Sequence, residues 1–281
     1  LTITPDVFEV VSLETPELDS GQILLKQTHM SLDPAMRGWM SEDRGSYIPP
    51  VELGEIMRSS GVAEVVESKN DQFAIGDRVV GMIGWTEYAV STGEGLNKLP
   101  PGISAEAVLC VLSLPGLTAW QGLMEIGKPK AGETLVVSGA AGSVGSMVGQ
   151  LGKAEGLTVV GTAGTDEKCR WLEEELGFDS AINYKSDDLE RQLHEATPNG
   201  IDVYFENVGG DTLRAALPLL NDFARVPLCG VIAWYDGDRS AQPLLAAELM
   251  STLLVKRVEV RAFIIPDQYP DHYAGFARDM S

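Results

Sequence analysis

A glycine-rich turn between a buried strand and a helix constrains the fold more than any other feature of this sequence. Residues 135–156 are LVVSGAAGSVGSMVGQLGKAEG, an apolar β-branched run that enters the glycines and continues directly into helical spacing. Gly142 lets a pyrophosphate approach backbone N–H groups closely, and Gly145 lets the helix pack against the strand. A GxxGxxG run alone also occurs as a purely structural turn, but strand, spacing and helix agree here. The segment therefore predicts dinucleotide binding.

Strand and helix patterns alternate after the turn at Lys128–Gly132. Strands are expected at Thr134–Ser138, Thr158–Thr162, Ala181–Asn183, the start of Asp202–Gly210, Ala224–Gly230 and Val258–Ile264. Helices are expected at Val144–Glu155, Glu167–Leu176, Asp187–Ala196, Thr212–Leu220 and Leu244–Leu254. Such alternation predicts an α/β fold, a doubly wound parallel sheet covered by helices on both faces.

The first part of the chain has a different pattern. Short β-prone runs with Gly, Pro and Asp between them occur at Gln22–Thr28, Val62–Glu67, Arg78–Met82 and Glu87–Val90. From Ser104 to Ile126 the apolar spacing becomes helical and is broken at Pro115–Gly116. We therefore predict a β-rich domain over residues 1–105, and linker helices with a Rossmann domain over residues 106–281.

Charge and cysteine content exclude several classes of protein. The net charge is −20, from 41 acidic and 21 basic residues, which opposes a nucleic-acid partner because such affinity comes from clustered Lys and Arg. No apolar run approaches the roughly 18 residues that span a bilayer, so no membrane association is expected. Cys110, Cys169 and Cys229 lie far apart and form no CxxC pair, which predicts no metal site and a reducing, cytoplasmic location.

The end of the second Rossmann strand bears on the choice of dinucleotide. An NAD site places a carboxylate about 20 residues after the glycines, but this chain has Gly164 and Thr165 there, with Lys168 shortly after. A small, neutral strand end with a nearby cation suits the 2′-phosphate of NADPH, which we favour. Alternatively Asp166 binds an unphosphorylated ribose, or Asp166 and Glu167 are only favourable first-turn charges of a helix.

Several motifs in order resemble the zinc-independent medium-chain reductases. They are SLDPAMRGWM (31–40), VVSGAAGSVGSMVGQLGK (136–153), DEKCRWLEEELGFDSAINYK (166–185), DVYFENVGG (202–210) and PLCGVIAWY (227–235). Within that family they are most similar to prostaglandin reductases, plant double-bond reductases and bacterial curcumin-type reductases. The resemblance implies a GroES-like catalytic domain, a Rossmann domain, NADPH and a homodimer.

The resemblance also implies site residues. The pyrophosphate loop corresponds to Gly142, Ser143, Val144 and Gly145, and the 2′-phosphate contacts to Lys168 and Tyr184. The nicotinamide end corresponds to Asn207, to Cys229, Gly230, Val231, Ile232, Ala233, Trp234 and Tyr235, and to Phe263, Ile264 and Ile265. Ordinary roles stay open for several of these: a strand-end aromatic for Tyr184, a turn former for Asn207, and core packing for 263–265.

The chain departs from the family pattern in two ways. Family members are longer at both ends, and their C-terminal segment returns to the catalytic domain with another Asn, so we expect this chain to be partial. Many relatives carry Tyr where this chain has Ala35, and some carry Tyr where it has Val255. These differences concern substrate specificity more than cofactor use.

The chemistry expected of such a site is reduction of an activated carbon–carbon double bond. The SLDPAMRG segment offers no thiolate or imidazole for a catalytic zinc, whereas an enone or enal needs only hydride and one or two donors for its enolate oxygen. Tyr235 is the candidate donor, unless it merely packs beside Trp234. Met36, Arg37, Met40, Tyr47 and Trp85 are candidate substrate-pocket residues, with a salt bridge for Arg37 and core packing for the two methionines as alternatives. A quinone or secondary-alcohol oxidoreductase, and a non-catalytic NADPH-binding protein, remain alternatives.

Overall fold

The structure is a computed structural model that describes residues 4–41, 48–186, 188–235, 243–265, 275–276 and 278–280. It divides between Cys110 and Val111 into two compact units. Each unit is built on its own sheet.

The first unit contains an antiparallel sheet of five strands in the order β4-β1-β2-β3-β5. The strands are β1 (Ile23–Met30), β2 (Ser60–Ser68), β3 (Arg78–Met82), β4 (Tyr88–Ser91) and β5 (Asn97–Lys98), and the short helix α1 (Met36–Trp39) follows β1. Alternate residues of β1 and β2 are buried, so that Ile23, Leu25 and Val65 pack against Phe73 on one face of the sheet. Period-two burial of this kind leaves polar residues such as Lys26 and Glu64 on the other face.

The second unit contains a six-stranded parallel sheet in the order β11-β10-β9-β6-β7-β8. The strands are β6 (Thr134–Val137), β7 (Thr158–Ala163), β8 (Ser180–Asn183), β9 (Ile201–Phe205), β10 (Leu220–Leu228) and β11 (Glu259–Ala262). The first strand of this unit lies between its second and fourth, which is the Rossmann order with a switch point between β6 and β9. The α/β prediction is confirmed, and ligands of such sheets bind beyond the carboxyl ends of the strands at that point.

Helices cover both faces of this sheet. They are α2 (Leu114–Trp120), α3 (Ser143–Ala154), α4 (Asp166–Glu174), α5 (Leu189–Ala196), α6 (Gly210–Ala216) and α7 (Pro243–Lys256). Leu135 and Val137 pack in a cluster with Val148 of α3, whereas Val136 between them packs with Leu193 and Leu213 on the opposite face. Among the described residues, no helix is both long and apolar enough to cross a membrane.

Two predicted elements were wrong by four residues at one end. The predicted helix Thr212–Leu220 is α6 from Gly210 to Ala216, followed by a 3₁₀ turn at Leu217–Leu219, because Pro218 cannot continue an α-helix. The predicted fifth strand begins at Leu220 instead of Ala224, and it is interrupted at Phe223, whose φ is +62°. The polar residues after Leu220 concealed this early start.

The linker segment also differs in detail from the prediction. The helical stretch expected from Ser104 to Ile126 consists of α2 flanked by π-helical turns at Ala107–Val111 and Gln121–Gly127. Pro115 lies in the first turn of α2, where its missing N–H costs nothing. The break in helical spacing therefore marks the start of a helix.

Candidate functional site

The glycine-rich elbow lies at the carboxyl end of β6. Gly139 has φ +60°, a left-handed conformation that glycine adopts without strain. The turn is fixed by two backbone hydrogen bonds, from Ala140 N to Thr162 O at 2.9 Å and from Gly142 N to Gly139 O at 3.1 Å. No side chain among the described residues caps α3. The first N–H groups of α3 therefore have no side-chain acceptor, and uncapped helix N-termini of this kind can bind a phosphate.

The space around the elbow fits a bound pyrophosphate. A Cβ added to Gly142 would have one protein neighbour within 4 Å, Gly139 O at 3.3 Å, so the surface beside it is open. A Cβ on Gly145 would lie 2.5 Å from Gly139 O and 2.8 Å from Ala140 Cα. The first turn of α3 can therefore lie this close to the elbow backbone only because residue 145 is glycine. Gly152, further along α3, allows the helix to pack closely on Leu135 of β6.

The ends of β7 and β8 meet beside the predicted 2′-phosphate site. Thr165 caps α4 by accepting a hydrogen bond from Lys168 N at 3.2 Å. Asp166 accepts a 2.7 Å hydrogen bond from Asn183 Nδ2, which links α4 to the end of β8. Asp166 is therefore engaged in the first turn of the helix, which favours the structural interpretation of that acid over ribose binding.

Two cations flank this neutral strand end. The exposed Lys168 lies on the first turn of α4 and has no ion pair recorded with the described residues. The Tyr184 hydroxyl would lie 3.2 Å from a Cβ on Gly164. The Lys185 ammonium lies 5.8 Å from the centroid of the Tyr184 ring. Lys185 was missed from the sequence, although a cation directly after Tyr184 was a usable signal.

An open cleft of about 420 Å³ adjoins this region. It is lined by Tyr184, Ser186, Asp188, Leu189, Glu190, Asp211 and Arg214. The cleft thus extends from the end of β8 across the starts of α5 and α6.

A buried hydrogen-bond network joins the ends of β6 and β9. Glu206 Oε1 accepts from Ser138 Oγ at 2.6 Å and from the backbone N–H groups of Val208 and Gly209 at 2.7 and 2.9 Å. Asn207 donates from its backbone N to Ser138 Oγ and from Nδ2 to Ser138 O, both at 2.8 Å. The sequence singled out Asn207 but not Ser138 or Glu206, because nothing in the sequence shows that this carboxyl is buried.

Burial dominates the acid–base character of this network. Burial raises the pKa of the Glu206 carboxyl, against the opposing hydrogen bonds from Ser138 and the backbone. Burial also raises the pKa of Tyr204 well above its usual range; its hydroxyl lies near Glu206 without meeting hydrogen-bond geometry to any described residue. Burial, with the Glu206 charge, raises the pKa of the Cys229 thiol to about 12. Cys229 is therefore a neutral thiol at neutral pH.

The segment from Cys229 to Tyr235 packs against the loop after β9. Cys229 N and Gly230 N donate to Glu206 O at 2.9 and 3.1 Å. Further along, Ile232 N donates to Asn207 O at 3.3 Å and Ala233 N to Val208 O at 2.9 Å. The Trp234 ring lies against Gly209, and the Tyr235 hydroxyl would lie 3.7 Å from a Cβ on Gly230. The structure thus brings together Asn207 and the predicted 229–235 segment, including Val231.

The predicted 263–265 segment begins beside the same strand ends. Phe263 N donates to Leu228 O at 3.3 Å, and its ring packs edge-to-face on Phe205 with centroids 6.4 Å apart. Ile265 is buried in a cluster with Leu117 and Trp120, and Ile264 is half-buried. The side chains of Phe263 and Ile265 therefore serve core packing, and contact with a ligand would fall to their backbone.

In the first unit, the predicted pocket residues have mixed environments. Met36 is buried, and Arg37 and Met40 are half-buried at and after α1. The Trp85 ring stacks on Phe8 with centroids 5.3 Å apart, and its indole N–H is buried without a partner among the described residues. Tyr47 lies outside the described residues.

Arg58 was not predicted as part of this region. Its guanidinium lies 5.3 Å from the centroid of the Trp39 ring and donates to Pro49 O. Among the residues that the structure describes, no group of three or more His, Cys, Asp or Glu side chains could hold a metal ion.

Comparison with known proteins gives consistent matches over most of the chain. Residues 2–99 match the family described as N-terminal domain of oxidoreductase, and residues 143–279 match the family described as zinc-binding dehydrogenase. The NADPH-dependent curcumin reductase of Escherichia coli (strain K12) is 45% identical over 280 residues, covering 98% of this chain and 80% of that protein. Prostaglandin reductase 1 of Bos taurus is 39% identical over 263 residues, covering 92% of this chain and 76% of that protein.

A solved structure agrees with these relatives. The crystal structure of CurA in complex with NADPH from Vibrio vulnificus has a TM-score of 0.90 and 44% identity, covering 99% of this chain and 82% of that one. The two-sheet architecture and the sequence motifs therefore point to the same group of proteins.

Proposed function

The chain belongs to the medium-chain dehydrogenase/reductase family, in the group of curcumin and prostaglandin reductases, and we propose that it is an NADPH-dependent oxidoreductase that reduces the carbon–carbon double bond of α,β-unsaturated ketones and aldehydes. The observation that carries the proposal is the convergence of three segments at the carboxyl edge of the parallel sheet. The elbow after β6, the loop with Asn207 after β9 and the 229–235 segment after β10 are joined there by hydrogen bonds.

The proposed assignments divide the cofactor between three groups of residues. The N–H groups of Ser143, Val144 and Gly145, beside the open surface of Gly142, hold the pyrophosphate. Lys168 and Tyr184, with Lys185 as an addition, hold the 2′-phosphate. Asn207, residues 229–235 and the backbone of 263–265 hold the nicotinamide end. When bound there, NADPH supplies the hydride.

The residue content of the chain favours an activated double bond as the substrate. The segment 31–38, SLDPAMRG, lacks the thiolate and imidazole that an alcohol dehydrogenase uses to bind zinc. An enone needs less assistance than an isolated carbonyl, because a donor to its oxygen stabilises the enolate that forms when hydride reaches the β-carbon. We assign that donor to the Tyr235 hydroxyl. Met36, Arg37, Met40, Tyr47 and Trp85 remain the proposed substrate contacts.

We also propose a cytoplasmic homodimer. All four residues of β11 are exposed, and β11 is an edge of the parallel sheet. An exposed edge strand presents unpaired backbone groups to another chain. Light scattering after gel filtration at micromolar concentration checks the dimer, and a mass of one chain, 30.2 kDa, would contradict it.

The test of function is oxidation of NADPH with a panel of enals, enones and quinones, followed at 340 nm. We expect turnover of enones and enals to exceed that of quinones, and Tyr235→Phe to lower kcat by about tenfold to a hundredfold with little effect on NADPH affinity. A preference for quinones would replace the proposed substrate class. NADPH binding with no turnover of any of them would instead indicate a non-catalytic NADPH-binding protein, and unchanged kcat in Tyr235→Phe would remove Tyr235 from the mechanism.

A further inference from the structure

Glu206 occupies an unusual position for a carboxyl group. It follows β9 at the switch point of the parallel sheet and is 1% exposed. The titratable groups nearest to it are Tyr204 on its own strand and Cys229 at the end of β10. No ion pair of Glu206 is recorded among the described residues. A buried carboxyl without a cation is costly, so its hydrogen bonds must be specific.

One oxygen of this carboxyl makes all of its recorded hydrogen bonds. Oε1 accepts from Ser138 Oγ, Val208 N and Gly209 N, whereas Oε2 is buried without a partner among the described residues. Because all three partners of Oε1 are donors, Oε1 acts purely as an acceptor. Any proton on the carboxyl is therefore on Oε2.

The Ser138 hydroxyl passes this constraint to Asn207. Ser138 Oγ accepts a hydrogen bond from Asn207 N and donates to Glu206 Oε1 at 2.6 Å, a much shorter contact than the 3.3 Å to its other acceptor, Phe205 O. Asn207 Nδ2 donates a hydrogen bond to the carbonyl oxygen Ser138 O, which can only accept. The amide orientation of Asn207 is thereby fixed, and Oδ1 is left to accept a hydrogen bond from a ligand. The hydroxyl groups of the nicotinamide ribose are donors of the required kind.

The backbone of Glu206 makes hydrogen bonds with the end of β10. Its carbonyl accepts from Cys229 N and Gly230 N, and Glu206 N donates to Pro227 O at 3.0 Å. The same residue thus fixes the positions of Ser138, Asn207 and the start of the 229–235 segment relative to one another.

We propose that Glu206 is a positioning residue for the nicotinamide end of NADPH, in which the acceptor oxygen Oε1, acting through Ser138, fixes Asn207. The proposal rests on the NADPH dependence of the proposed function but not on its substrate class. It assigns Glu206 no contact with the cofactor or the substrate. Glu206 acts through the position of its acceptor oxygen Oε1 and not through a negative charge.

The test compares NADPH with adenosine 2′-phosphate 5′-diphosphate, a ligand that keeps the pyrophosphate and 2′-phosphate but lacks both nicotinamide and the nicotinamide ribose. Dissociation constants are measured by fluorescence titration and calorimetry on the full chain. Ser138→Ala removes the link between Glu206 and Asn207, and we expect it to weaken NADPH on the order of tenfold while adenosine 2′-phosphate 5′-diphosphate stays within about twofold. The control is Ser59→Ala, the same Ser-to-Ala change at a buried hydroxyl that has no partner among the described residues, which should change neither constant.

Variants of Glu206 itself separate the acceptor from the charge. Glu206→Gln keeps an acceptor oxygen and should bind NADPH within about threefold of the parent. Glu206→Leu keeps the approximate volume without an acceptor and should reproduce or exceed the Ser138→Ala loss. If Glu206→Leu does not fold, Ser138→Ala and Glu206→Gln still decide.

Three results would overturn the proposal. Equal weakening of both ligands by Ser138→Ala would mean that the network supports the whole site and not its nicotinamide end. Unchanged NADPH affinity would mean that the network does not position Asn207, and a loss in Glu206→Gln as large as that in Ser138→Ala would mean that the charge matters. All three readouts are equilibrium constants, so they stand even if no enone is turned over.

Discussion

Replacing Gly142 with alanine is expected to separate cofactor affinity from stability. Gly142 has φ −82° and ψ 168°, which any residue adopts, and its added Cβ would meet only Gly139 O, at 3.3 Å. Gly142 is the N-cap of α3, where alanine is worse than glycine by about 0.5 to 1 kcal/mol. Alanine also lowers the conformational entropy of the unfolded chain, which stabilises the folded state by about 0.4 to 1 kcal/mol and offsets the loss at the N-cap. The net change in free energy of unfolding is therefore about 0.5 kcal/mol or less, roughly 2 °C in Tm.

The effect on NADPH affinity should be much larger. A phosphate oxygen bonded to the first N–H groups of α3 lies about 2.9 Å from each nitrogen. A methyl group at Gly142 would occupy the open side of the elbow that this oxygen must cross. If the pyrophosphate withdraws and loses one or two hydrogen bonds to a charged group, the cost is about 3 kcal/mol, or roughly a hundredfold in Kd.

Gly145→Ala is the matched control in the same loop. Its Cβ would lie 2.5 Å from Gly139 O and 2.8 Å from Ala140 Cα, both backbone atoms that cannot rotate away. This variant should lose about 1 to 3 kcal/mol of stability as well as affinity. Urea unfolding of the cofactor-free protein and fluorescence titration with NADPH measure the two effects. A Gly142→Ala protein that binds NADPH within threefold of the parent would refute placement of the pyrophosphate at this elbow.

Two further predictions concern charged residues. Lys168→Ala should weaken NADPH by about tenfold or more while leaving NADH nearly unchanged, because a phosphate contact to an ammonium is charge-assisted; equal losses for both cofactors in a titration would contradict the 2′-phosphate assignment. The pKa of Asp179 is lowered from 3.8: desolvation raises it, but hydrogen bonds from Lys153 and Val159 N and the Lys153 charge together outweigh that effect. A lowered pKa stabilises the folded state above about pH 3.8, and that contribution is lost as the pH falls through the folded value. Because the pair is partly exposed, Asp179→Asn should cost about 0.5 kcal/mol in urea unfolding at pH 7, and that cost should shrink as the pH falls below about 3.8. A cost that stays constant over that acidic range would contradict the ion-pair explanation.

The regular part of the second unit was predictable because local sequence and topology agree there. The expected strand Thr134–Ser138 is β6 at Thr134–Val137, and the expected helix Val144–Glu155 is α3 at Ser143–Ala154. Buried strands with residues covered on both faces give continuous apolar runs, and glycines mark where each run ends. Where a strand begins with polar residues, as β10 does after Leu220, this pattern fails.

The interior contacts of the site were not predictable from spacing. A Cβ on Gly149 would collide with the Phe178 ring, so this glycine serves close packing of α3, although it follows the elbow and resembles part of its motif. The burial of Glu206 was likewise invisible, because FENVGG equally describes a polar loop after a strand. Period and propensity locate a residue on an element, but they do not show which atoms of distant elements it meets.

The strand order explains why the site depends on such distant contacts. Ser138 and Asn207 are 69 residues apart in sequence, yet their strands are neighbours because β9 pairs with β6 at the switch point. A ligand that contacts both Ser138 and Asn207 needs a fixed distance and orientation between them. Adjacent parallel strands fix that geometry only where backbone hydrogen bonds pair them. The backbone ladder between β6 and β9 ends with the bond from Ser138 N to Phe205 O, so beyond it side-chain hydrogen bonds continue the alignment of these two strands. Glu206 and Ser138 supply that continuation, which is why a residue with no expected ligand contact is placed at the centre of the site.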